Sequence, residues 1–109
     1  MIVVTRFEGR PDGDADGSQE SFRTRLGAAV AVLERCPGFV DARVGRNIDE
    51  PALWVLVTTW TNVGSYRRAL SSYDAKVAVV PLLSEAIDEP SAYEPLDGEL
   101  NVNAPRQLG

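Results

Sequence analysis

The sequence predicts an α+β fold, a ferredoxin-like split βαβ sandwich (βαββαβ) with an antiparallel sheet. Three observations predict it. β-rich and helix-periodic stretches follow one another as strand, helix, strand, strand, helix, strand, the order of that sandwich. The 109 residues make one domain of ordinary size. The third strand is apolar at odd and even positions alike, so its sheet has two faces to cover.

Residues 1–7 are rich in β-formers and open the chain as a strand. Residues 9–17 (GRPDGDADG) hold three glycines, a proline and three aspartates, the composition of a loop. Ser18 then opens a helix in which Phe22, Leu26, Ala29 (or Val30) and Leu33 recur at three- and four-residue steps. Cys36-Pro37-Gly38 stops it, because proline cannot continue a helix and glycine tolerates the turn that follows. Strands are expected over residues 39–46 and 53–60, joined by the hairpin-sized loop of residues 47–51. From Asn62 the pattern is helical again, with Tyr66, Ala69, Leu70 and Tyr73 on one face. A second segment over residues 74–86 carries Pro81 and is expected to kink or divide there. A last strand is placed around residues 91–96. The domain is thus residues 1–96, followed by a polar, proline-interrupted arm or tail over residues 97–109.

The third strand carries Trp54, Leu56 and Trp60 at even positions and Leu53, Val55 and Val57 at odd ones. The first strand repeats this on a smaller scale, with Ile2 and Val4 against Val3 and Phe7. Two helical regions cover one face only. A second copy of the chain is the simplest cover for the other, so a homodimer through the sheet face is expected.

Composition excludes several classes. Hydrophobic residues are 44% and charged residues 25%, as in an average soluble protein. The net charge is −5, and one lysine and ten scattered arginines form no basic stripe, so nucleic acid is not a partner. Apolar runs fall far short of a membrane span and no leader pattern opens the chain, which points to a cytoplasmic protein with no membrane partner. Histidine is absent, which removes histidine triads, zinc sites and haem ligation. The single cysteine, Cys36, has no thiol to pair with and reads as structural. Asp12-Gly-Asp14-Ala-Asp16-Gly17 matches the first half of a calcium loop, but Arg23 stands where the closing glutamate belongs. A solvated acidic loop, with Asp16 or Ser18 capping the helix, is the simpler reading, and no metal site is expected.

Trp60 ends the third strand and Tyr66 lies six residues on, in the first turns of the next helix. A strand end feeding a helix start sets both side chains near one mouth between sheet and helix. There an indole N–H and a phenol O–H would grip a flat aromatic ligand and donate to its oxygens; as core or interface aromatics they would serve packing alone. Arg6 is a charge amid apolar neighbours, a position that faces a pocket, a partner carboxylate or the sheet edge. Arg67, beside Tyr66, reaches an anionic ligand or solvates a helix face.

The run Trp54-Val-Leu-Val-Thr-Thr-Trp60-Thr-Asn-Val-Gly-Ser-Tyr66, preceded by Cys36-Pro37-Gly38-Phe39, resembles the antibiotic biosynthesis monooxygenase family over about residues 1–96. The resemblance implies a dimeric α+β barrel, in which two ferredoxin-like sheets pack face to face. It also implies oxidation of a polyphenol, anthrone or quinol-like ring by molecular oxygen without cofactor. The family's site tryptophan and tyrosine match Trp60 and Tyr66, the catalytic candidates; its asparagine falls on Leu56 and its arginine near Val80. Arg6, Trp54, Leu56, Arg67 and Tyr73 are the candidate substrate-binding residues. Haem-degrading relatives need a histidine that the chain lacks. The losses at Leu56 and Val80 favour the alternative, a non-catalytic dimeric barrel that binds a small molecule or serves in stress handling. An interaction protein docking a neighbour through residues 97–109 is a third reading.

Overall fold

The computed structural model describes residues 1–9 and 18–96; the acidic loop and the C-terminal arm expected from the sequence lie outside the described residues. The elements are β1 (Ile2–Glu8), α1 (Ser18–Glu34), β2 (Phe39–Arg46), β3 (Leu53–Trp60), α2 (Val63–Ser71), α3 (Tyr73–Ala78), α4 (Val80–Leu83) and β4 (Ala92–Tyr93). The four strands form one sheet in the order β2-β3-β1-β4, and every pair is antiparallel. This is the α+β, ferredoxin-like arrangement that the order of elements predicts.

Register decides which residues share a face. Val3 lies opposite Thr58, Thr5 opposite Leu56 and Phe7 opposite Trp54, and all six are buried. They meet Leu26, Ala29 and Leu33 of α1 and Ala69, Ala75, Val79 and Leu82 of the later helices in one core. The other face carries Val4 opposite Val57 and Arg6 opposite Val55, none of them buried. The helices therefore cover one face and leave the alternate apolar one open.

Two junctions set the geometry of the region where β3 gives way to α2. Gly38 closes the turn after α1 with φ +90, a conformation that glycine adopts without strain. A side chain there would also overlap that of Ser65, because the turn lies directly against the start of α2. Its carbonyl accepts from the Thr61 N–H at 2.8 Å, which joins this turn to the end of β3. Asn62 then caps α2, its Oδ1 accepting from the Ser65 N–H at 2.8 Å and from the Ser65 hydroxyl at 3.0 Å.

The second helical region divides where its caps dictate. Ser72 ends α2 and its Oγ accepts from the Ala75 N–H at 3.3 Å, so it starts α3 as well. Pro81 sits in the first turn of α4, where its missing N–H costs nothing. The last strand is shorter than the sequence suggests. Only Ala92 and Tyr93 pair, against Val3 and Ile2.

Candidate substrate cavity

Tyr66 follows Ser65 in the first turns of α2, the helix that Asn62 caps. The ring lies 5.5 Å from the Trp60 indole, centroid to centroid, and tilted by 56°. Trp60 is 1% exposed and meets Phe39 on another side, edge to face at 5.5 Å. Its Nε1–H donates to Thr58 Oγ1 at 2.9 Å. Trp60 is thus a fixed wall under Tyr66, with its indole N–H already satisfied inside the protein.

Tyr66 itself is half-buried, and burial pushes its phenol pKa above the ordinary value by disfavouring the charged form. Among the described residues its hydroxyl has no hydrogen-bond partner. It lines a cavity of about 340 Å³ together with Val4, Thr5 and Arg6 of β1. Leu83 at the end of α4 and residues 84–91, which connect α4 to β4, form the opposite wall, with Ser84, Asp88, Glu89 and Ser91 as its polar groups.

This wall is tied to the rest of the domain at four points. The Ile87 N–H bonds to Arg6 O at 2.8 Å, and the Val4 N–H to Ser91 O at 2.7 Å. Arg25 of α1 pairs with Glu85 through both carboxylate oxygens, at 3.1 and 2.7 Å. Arg6 pairs with Glu89 in the same two-bonded way, Nε to Oε2 at 2.7 Å and Nη2 to Oε1 at 2.8 Å. That hydrogen bonding, and then the nearby positive charge, holds the Glu89 carboxyl below the usual carboxylate range.

The structure brings Arg6 and Tyr66 to one cavity, with Trp60 packed beneath the tyrosine. Leu56 is buried on the helix-covered face opposite Thr5, so an apolar side chain stands there. Trp54 is at the far end of β3, packed edge-on to Phe22 at 5.5 Å with the Arg46 guanidinium 5.4 Å from its ring centroid. It lines a separate cavity of about 470 Å³ between α1 and β2. Arg67 is exposed. Tyr73 is 79% exposed, because the break at Ser72 takes it off the face it would share with Tyr66 in an unbroken helix. Sequence reasoning missed Ser84, Asp88, Glu89 and Ser91. Their only signal is an acidic Asp88-Glu89-Pro90 run just before the last strand.

A model of one family, antibiotic biosynthesis monooxygenase, matches residues 1–80. The chain belongs to that family. Among solved structures, SnoaB of Streptomyces nogalater, a cofactor-independent oxygenase, superposes with a TM-score of 0.65 at 24% identity, over 89% of this chain and 96% of that one. Rv0793 of Mycobacterium tuberculosis gives 0.67 at 20% identity, over 89% and 95%. A conserved protein of Methanosarcina mazei gives 0.65 at 21% identity, over 84% of each chain. At these identities the likeness is one of fold. No curated protein matches the sequence. The matched residues include Arg6, Trp60 and Tyr66 but end before the 83–91 wall, so that side of the cavity lies outside the matched residues.

Among the described residues no helix is long and apolar enough to cross a membrane, and no group of three or more Cys, Asp or Glu side chains is arranged to hold a metal ion.

Proposed function

We propose that this protein is a cofactor-independent monooxygenase of the cytoplasm that oxidises a small aromatic substrate (a polyphenol, anthrone or quinol-like ring) with molecular oxygen. The observation that carries this reading is the Tyr66 hydroxyl, without a hydrogen-bond partner among the described residues, at a cavity shared with Arg6 in a chain of the monooxygenase family. An electron-rich ring that loses a proton can itself reduce oxygen. The protein then has to bind the ring, stabilise its oxyanion and limit water. Tyr66 donates to that oxyanion, Arg6 fixes the cavity wall through its pair with Glu89, and Trp60 holds the Tyr66 ring in place. The structural likeness to SnoaB supports the same reading.

The working form in this proposal is a homodimer. The open sheet face, with Val4, Val55 and Val57 only half-buried, meets its copy and closes the barrel.

A second reading, a non-catalytic barrel that binds a small molecule, draws on two observations. The Trp60 N–H is consumed by Thr58, and apolar Leu56 and Val80 stand where the resemblance places polar side chains. Oxygen uptake with a panel of anthrones and hydroquinones on metal-free protein separates the two. Uptake that requires folded protein supports the monooxygenase. A rate equal to the uncatalysed one across the panel supports the binding protein.

A further inference from the structure

On the monooxygenase reading, we propose that Asp88 is the base that takes the proton from the bound substrate. The cavity holds two carboxylates, and their surroundings differ. Glu89 has both oxygens engaged by Arg6, which keeps it an anion with little call for a proton. Asp88, its neighbour, has no hydrogen-bond or ion-pair partner among the described residues. The other polar side chains lining the cavity are Thr5, Ser84, Ser91, Tyr66 and Arg6, which all carry their protons at neutral pH. The chain has no histidine to serve instead.

Position supports the role as well. The residue before Asp88 is anchored by the Ile87–Arg6 backbone bond, and the residue after it by the Arg6–Glu89 pair. The carboxylate therefore sits between a backbone hydrogen bond on one side and a side-chain ion pair on the other, and a proton acceptor needs positioning of this kind. Asp88 is exposed at the cavity, so a captured proton passes on to water.

The step balances within the cavity. A substrate C–H or O–H bond breaks, an O–H bond forms on an Asp88 carboxylate oxygen, and the electron pair stays on the ring as an enolate or phenolate. Negative charge moves from Asp88 to an oxygen that the Tyr66 hydroxyl can hydrogen-bond, and no net charge is created. Asp88 then releases the proton to solvent. Oxygen is the oxidant of the next step, in which the ring anion is oxidised.

Proton abstraction can be measured apart from oxidation. Anthrone in D2O, kept free of oxygen, exchanges its acidic C–H for deuterium whenever a base removes that proton, and proton NMR follows the loss of signal. Wild type is expected to accelerate exchange over buffer. Asp88→Asn should lose about a hundredfold or more of the acceleration while its melting curve is unchanged. Asp88→Ala should regain part of it as formate is added. An Asp88→Asn variant that exchanges at the wild-type rate overturns the proposal, as does a wild type that consumes oxygen without accelerating exchange; in the second case the monooxygenase reading stands. Exchange that depends on Asp88, with no oxygen uptake in air, keeps Asp88 as the base and overturns the monooxygenase reading.

Discussion

Arg6 of β1 and Glu89 of the α4–β4 connection are 83 residues apart in sequence, yet they share two hydrogen bonds, at 2.7 and 2.8 Å. Unfolded, a glutamate titrates near 4.3. Folded, Glu89 titrates lower because of Arg6. The unfolded chain therefore takes up protons first, and the pair's contribution is fully present above about pH 4.3 and lost as pH falls through the folded value. Glu85, lowered by Arg25, follows the same sign. Melting temperatures of wild type and Glu89→Gln should differ near neutral pH, converge as pH falls through the lowered folded value of Glu89, and differ less at high salt. A difference independent of pH would show that the ion pair is not its cause.

Tyr66→Phe should separate function from stability. The hydroxyl has no partner among the described residues, so its removal is expected to change unfolding free energy by no more than about 0.5 kcal/mol. If it donates to a developing oxyanion, oxygen uptake should fall by about a hundredfold or more. The raised pKa makes a further check, since one tyrosine should ionise above the ordinary value of about 10. That component of the ultraviolet titration should vanish in the variant.

Strands were legible wherever local chemistry marks both ends. β2 begins just after the Pro37-Gly38 turn and β3 ends just before the Asn62 cap, and both match the bounds expected from sequence. The open sheet face was legible too, because a strand alternates strictly and β3 is apolar at both parities. The cavity was not. Its polar wall reaches β1 through sheet topology, and no period along the chain encodes that residues 84–91 will lie beside Val4 and Arg6. The same contacts explain the short last strand: up to Ser91 the chain meets β1 through single bonds and an ion pair, and paired strand follows only at Ala92. Periodicity alone places Tyr73 with Tyr66 because it runs across Ser72, although a serine N-cap with an acid, Asp74, in the turn that follows is itself a start signal for a new helix.

Trp60 and Thr58 form the support beneath Tyr66, and their substitutions should report on stability first. Thr58→Val keeps the shape but leaves the buried indole N–H without an acceptor, at a cost of about 1–3 kcal/mol. Thr58→Ser keeps the acceptor and should cost less. Trp60→Ala removes the largest fully buried side chain and should cost about 3–5 kcal/mol. Urea unfolding ranks the three. Equal stability of the Val and Ser variants would show that the indole hydrogen bond contributes nothing.

The open face makes the last prediction. Val57 faces Val4 across the β1–β3 pairing on the side that no helix covers, and neither side chain is fully buried. If a second copy covers this face, a charge at its centre must be desolvated without a partner in the dimer, whereas in a monomer it stays in water. Val57→Lys should therefore break the dimer while the single domain stays folded: the residue directly opposite on β2 is Arg43, which offers a cation no partner, and in the monomer both charges stay in water. Sedimentation equilibrium is the measurement. Wild type is expected at twice the chain mass and the variant at one. A wild type that sediments as a monomer across the micromolar range would remove the barrel from the proposed working form and leave the Tyr66 cavity, built within a single chain, to act by itself.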